Sequence, residues 1–236
     1  MRFLPDVTGK TRRCWWPLAL LAGANGLFYL EATEIAETGD IAIRLSIAVM
    51  ALLVALIGGR VVPSFTRNWF RKNDGPEIAG PMVGFDRIVL AVLIVALTAW
   101  TALGEGQAVG AGLAIAGLLN LARLARWRGW ATMGEGFVMI LHVGYLWLVV
   151  RLILLGVSML QDAMTTAAAL HMLTLGAMGT MTLAVMTRAI LGHTGRDLHA
   201  GPGTMAIFTF VTVAMALRVA YAFAPTVDLI WASAGF

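Results

Sequence analysis

The side chains in this sequence that could do chemistry are few, and most fall in one stretch. LHMLTLGAMGTMTLAVMTRAILGHTGR, from Leu170 to Arg196, opens with His171 in an apolar run, alternates small residues with methionine, and closes on His193 and Arg196. About 20 apolar or small residues separate Thr165 from Arg188, roughly the length that crosses a hydrocarbon core. An imidazole is costly there without a partner or a ligand. Imidazole together with thioether sulfur is also a soft donor set of the kind that holds Cu(I). His171 with Met172, Met178 or Thr174 is its densest occurrence here. Simple packing by adaptable methionines is the competing reading, and Gly176 and Gly179 could admit either a flat macrocycle or another helix.

His142 is the second intramembrane imidazole. It is open to two readings: a helix–helix hydrogen bond to a Ser or Thr, or ligation of a metal or haem iron through a neutral nitrogen. Tyr145, one turn away, and Trp147 complete a small polar and aromatic group. Arg151 is nine residues from His142, on another side of the helix and about 13 Å along its axis, so the two do not pair. On span boundaries His142 and His171 differ in depth by roughly 10 Å, which favours separate sites. His193 and His199 lie in a loop, either solvated or reaching back over a cofactor. Arg60 or Arg67, Arg188 and Arg196 are candidate partners for a cofactor carboxylate such as a haem propionate, through bidentate hydrogen bonds. For Arg60, with Arg67, Arg71, Lys72 and Trp69, a belt facing lipid phosphates is the alternative.

These side chains must be held by membrane helices. The chain has 236 residues, 59% hydrophobic and 13% charged, with mean hydropathy +0.82; a soluble domain carries about 25% charged residues. The sequence predicts an all-α integral membrane protein, a single polytopic bundle of about seven spans: roughly 15–30, 41–58, 88–103, 109–125, 137–155, 165–190 and 204–223. The first is the weakest, being interrupted by Gly23, Asn25 and Gly26. In the last six spans' longest connection, Arg60 to Arg87, the residues Pro63, Gly75, Pro76, Gly80 and Pro81 predict that no helix continues. The run with Gly110, Gly112 and Gly117 predicts close helix packing.

Charge sorts with this topology. Arg2, Lys10, Arg12 and Arg13, then Arg60, Arg67, Arg71, Lys72 and Arg87, then Arg123, Arg126 and Arg128, then Arg188 and Arg196 all fall on one side. The positive-inside rule makes that side, and the N-terminus, cytoplasmic in a bacterial inner membrane. With an odd number of spans, the C-terminus is outside. The intervening loops are acidic (Glu31, Glu34, Glu37, Asp40, Glu105, Asp162), and no acidic residue is counted within a span. The pI near 9.8 does not indicate nucleic-acid binding, because the basic residues are spread over loops. Cys14 alone excludes an intramolecular disulfide, and the polar start of the chain lacks the apolar core of a cleavable signal.

Three blocks in order carry a family resemblance: GGRVVPSFTRNW (Gly58 to Trp69), LHVGYLWL (Leu141 to Leu148) and the Leu170–Arg196 stretch. The chain resembles the NnrS family of bacterial membrane proteins over nearly its whole length. Family members run to about twice this length. Their N-terminal half carries a Trp-His-x-His-Glu-type block that this chain lacks, so the resemblance is to the C-terminal half. It implies a polytopic protein of the nitric-oxide and nitrosative-stress response, associated with haem, copper or both. His142, His171, His193 and Met178 are then the metal-ligand candidates, and Arg60, Arg188 and Arg196 join the two intramembrane histidines in cofactor binding. No paired carboxylates, nucleophile–base set or quinone motif identifies a reaction. A transporter or channel is the alternative, as is an assembly subunit completed by a second membrane chain or by another copy of itself.

Overall fold

The computed structural model describes residues 15–78, 84–161 and 172–223. His171, Gly80, Pro81, Asp162, Pro225 and the basic residues before Trp15 lie outside them. The elements are α1 (Trp15–Ala32), α2 (Gly39–Lys72), α3 (Gly84–Leu103), α4 (Gln107–Arg126), a 3-10 turn (Gly129–Thr132), α5 (Gly136–Gln161), a π-helical segment (Met172–Gly179) running into α6 (Thr180–His193), and α7 (Pro202–Phe223). Among the described residues six helices are long and apolar enough to cross a membrane: α2 to α5, α6 together with the π-helical segment before it, and α7. α1 falls short because Asn25, Tyr29 and Glu31 dilute its apolar run, and Ala24 is its only buried residue.

α1 and α2 form an antiparallel hairpin closed at its turn by side chains. Thr38 Oγ1 donates to the Leu27 carbonyl at 2.6 Å, and the Glu31 carboxylate accepts the Gly39 N–H at the start of α2. That carboxylate both satisfies an orphan amide and suits the positive end of the helix dipole.

α5 is the centre of the bundle. Phe137, Val138, Ile140, Leu141, Tyr145, Leu148, Val149 and Leu152 are all buried. Burial on successive residues, without a polar face, is what a helix enclosed by neighbours requires. Its closest neighbour is α4, where glycine lets the backbones meet. A Cβ on Gly156 would lie 2.5 Å from the Gly110 carbonyl oxygen, and one on Gly117 would lie 2.6 Å from Ile153. The packing expected of Gly110 and Gly117 is therefore present.

One expectation is overturned. α2 does not end near Gly58 but runs 34 residues through Pro63 to Lys72. A proline inside a free helix costs about 3 kcal/mol, because it removes an amide and crowds the carbonyl four residues back. Tertiary packing offsets this cost. Val62, Pro63, Thr66 and Phe70 are buried on one face of the extension, and Thr66 Oγ1 donates back to the Val62 carbonyl at 2.8 Å. The stop signal that prevails lies later. Asn73 Nδ2 donates to the Trp69 carbonyl, and the Gly75 amide to that of Phe70. Arg60, Arg67, Arg71 and Lys72 thus stand on a helix, not in a loop.

Candidate functional site: a sealed polar core at the basic end

α4 is apolar until its last two turns, where Asn120 and Arg123 appear three residues apart and so share a face. Both are buried, and so is Asp86, in the first turn of α3. Arg123 Nε donates to Asp86 Oδ1 at 2.6 Å, with the guanidinium 0% and the carboxylate 4% exposed. Arg123 Nη1 donates to the Ala55 carbonyl of α2 at 3.1 Å and to the Tyr145 hydroxyl of α5 at 3.0 Å. The Tyr145 hydroxyl donates to Asn120 Oδ1 at 2.7 Å, and Asn120 Nδ2 to the Ala116 carbonyl at 2.8 Å. One guanidinium therefore ties four helices together, and polar atoms that would be costly in hydrocarbon find partners in one another. The head fits because residue 59 is glycine: a Cβ there would collide with Arg123 Nη2.

Trp127, just past α4, roofs this core. Its ring meets Tyr145 edge-on at 4.9 Å and lies 5.4 Å from the Arg123 guanidinium carbon. It also lies 6.5 Å from the His142 ring, likewise edge-on. His142 is itself buried: Nδ1 lies 2.9 Å from the Val138 carbonyl, Nε2 lies 3.4 Å from Thr66 Oγ1, and Gly129 abuts the ring edge. The helix–helix contact to a threonine, one of the two readings of His142, is present in the fold.

The other sequence candidates do not converge on His142. Arg60 is exposed, and on helix geometry it points about 120° away from Thr66. Arg188 belongs to α6, not to a loop, and stacks on Phe65 with its guanidinium carbon 4.7 Å from the ring. Arg196 and His193 are exposed, and Met178 packs half-buried against the apolar core. His171 lies outside the described residues. Among the described residues no three His, Cys, Asp or Glu side chains gather as a metal site would require. In the π-helical segment and α6, Thr174, Thr182, Val185 and Met186 are exposed, and Leu173, Ala177, Met181 and Ala184 face the core. Gly176 accommodates Trp147 and Met215, the helix-packing alternative. Trp147 is thereby turned away from His142, and the expected His142–Tyr145–Trp147 group divides.

Two residues of this buried core escaped sequence reasoning. Arg123 counts there as a loop cation and Asp86 as part of a connection, yet both are buried within spans, which corrects the count of no acidic residue in a span. The available signal was the polar pair Asn120 and Arg123 on the face of α4 that also bears Ala116. Among the described residues Arg151 is the other buried cation, 6.0 Å from the Trp100 ring centre in the opposite half of the bundle.

The phenol bridge gives a direct test. Tyr145→Phe removes the hydroxyl joining Arg123 to Asn120 and leaves buried partners short of a bond. A stability loss of about 1–3 kcal/mol is expected in detergent unfolding, and an unchanged midpoint would remove Tyr145 from the network.

A polytopic helical membrane protein, closed at its basic end by a buried ion pair and its hydrogen-bonded retinue, is the class that this fold and site define. The NnrS protein family matches residues 7–236, essentially the whole chain, and the chain belongs to that family. No curated protein and no solved structure matches it.

Proposed function

We propose that this chain is a membrane protein of the nitric-oxide and nitrosative-stress response, seated in the bacterial inner membrane with its N-terminus cytoplasmic, and that His142 contributes one donor to a haem or copper centre. Family membership supports the first part, and the charge distribution of the loops supports the orientation. One observation carries the second. The Val138 carbonyl, 2.9 Å from Nδ1, places the ring proton there and leaves the lone pair on Nε2. Thr66, the side chain facing Nε2 at 3.4 Å, gives its own proton to the Val62 carbonyl, and the Trp127 backbone and Gly129 also border the ring, so a metal at Nε2 would displace these neighbours.

The described residues fit such a group in kind and at one position only. His142 supplies a fixed, buried imidazole. Met178 and His193 stand elsewhere, and His171, roughly 10 Å different in depth on the span boundaries, would serve a separate site. Arg188 is the proposed propionate partner, because it packs on Phe65, next in sequence to the Thr66 that touches His142. Bound haem or copper would supply the affinity for nitric oxide. The chain would bury and orient the donor and keep water from it.

The test is metal analysis and reduced-minus-oxidised absorption of the detergent-purified chain and its His142→Ala variant. Wild type is expected to carry iron or copper, and the variant to lose most of it. A wild type without metal or chromophore, or a variant retaining all of it, would end this reading.

A further inference from the structure

The helical extension of α2 creates a surface that its sequence, read as a loop, does not have. Residues 60, 64, 67 and 71 fall within about 60° of one another on a 3.6-residue helix. They are Arg60, Ser64, Arg67 and Arg71: three guanidiniums and a hydroxyl in one stripe. The stripe begins beside the side that packs on the bundle, so Arg67 is half-buried and its Nε is enclosed without a hydrogen-bond partner. None of the three arginines forms an ion pair with a described carboxylate.

The level of the stripe is set by contacts. Gly59, next to Arg60, abuts Arg123, which binds Asp86 in the first turn of α3. Arg60 therefore stands level with the ends of α3 and α4, where their apolar runs stop. The α1–α2 hairpin independently sets the adjacent level, about 8 Å nearer the bilayer centre. Counting back 16 residues from Glu31, which meets Gly39, about 24 Å of helix brings Trp15 opposite residue 55. Trp15 and Trp16 are exposed there at 64% and 73%, as indoles are at a membrane interface. α2, at about 51 Å, exceeds the roughly 40–45 Å of a whole bilayer. The stripe thus starts at the headgroup layer, and from the turns beyond it the long side chains of Arg67 and Arg71 reach back toward the phosphates.

We propose that the Arg60–Ser64–Arg67–Arg71 stripe is a binding site for the headgroup phosphate of an anionic phospholipid. Unpaired guanidiniums offer forked donors that match phosphate oxygens. Packing of the half-buried Arg67 stem fixes the direction of its guanidinium, and Ser64 adds a hydroxyl between the charges. The site anchors the end of α2 that carries Thr66 against His142.

Native mass spectrometry and thermal unfolding of the purified chain in detergent, titrated with dioleoylphosphatidylglycerol or dioleoylphosphatidylcholine, test this. The anionic lipid is expected to be retained and to raise the unfolding midpoint, and the zwitterionic lipid to do neither. Arg60→Gln/Arg67→Gln/Arg71→Gln is expected to bind phosphatidylglycerol roughly a hundredfold more weakly, at about a fivefold loss per cation. Arg60→Lys/Arg67→Lys/Arg71→Lys, which keeps the charge should the first variant fold poorly, is expected to lose part of that affinity. Arg126→Gln/Arg128→Gln, neutralising cations off the stripe, is expected to bind as wild type. The proposal is overturned if the glutamine or lysine variant binds as tightly as wild type, if the Arg126/Arg128 variant loses as much as the stripe variant, or if inorganic phosphate alone reproduces the shift.

Discussion

Asp86→Ala is expected to destabilise the protein by about 3–5 kcal/mol, because it strands the Arg123 guanidinium in a site with 0% exposure. Arg123→Ala is expected to cost a similar amount. It leaves the Asp86 carboxylate buried and also deprives the Ala55 carbonyl and the Tyr145 hydroxyl of a donor. The informative quantity is the double variant. With both charges gone no uncompensated ion remains, so Asp86→Ala/Arg123→Ala should cost clearly less than the sum of the singles, with a coupling above about 1 kcal/mol. Reversible unfolding in mixed detergent micelles measures all three. Additive single effects would mean that the pair does not act as a unit. A surface ion pair would give well under about 1 kcal/mol on the same cycle, so the experiment separates a sealed pair from an exposed one.

Gly156→Leu is the second large effect. At Gly156 the first added carbon already meets backbone: the Gly110 carbonyl oxygen at 2.5 Å and the Ala114 nitrogen at 2.6 Å. Backbone cannot rotate away as a side chain can, so α4 and α5 would have to separate along the most closely packed seam of the bundle. Overpacking of ordinary cores costs about 1–3 kcal/mol, and here the upper end or more is expected, with loss of monodisperse protein on gel filtration. Gly156→Ala should already show a measurable part of it. Gly112→Ala, on α4 but facing α3 with only the Ala96 Cβ at 3.9 Å, should be nearly neutral. Equal behaviour of the two alanine variants would show that α4 and α5 do not approach as described.

Both effects arise where small residues meet charged or backbone atoms, and the sequence exposes that logic unevenly. The helical class was legible, since long apolar runs between charged segments admit little else in a bilayer. Gly110 and Gly117 of α4 read correctly as a packing face, because close approach in lipid depends on small side chains whatever their partner; Gly112 meets only the Ala96 Cβ at 3.9 Å. His142 was legible as a buried imidazole that needs a partner. Thr66 as that partner was not, because it lies 76 residues away on a helix that Pro63 seemed to forbid.

What the sequence by itself determined is everything governed by local composition: how many helices there are, roughly where they lie, and which side chains hydrocarbon would penalise. What tertiary structure alone decided is which penalised groups meet. Arg123 and Asp86 sit at helix ends, where hydropathy assigns a charge to the loop. Only the approach of α2, opened by Gly59, and of α5, bearing Tyr145, converts them into a buried pair. The continuation of α2 past Pro63 was decided in the same way. The local preference of proline is worth about 3 kcal/mol, and burial of Val62, Thr66 and Phe70 against the bundle outweighs it. Local rules carry no information about that surface, because it belongs to other parts of the chain.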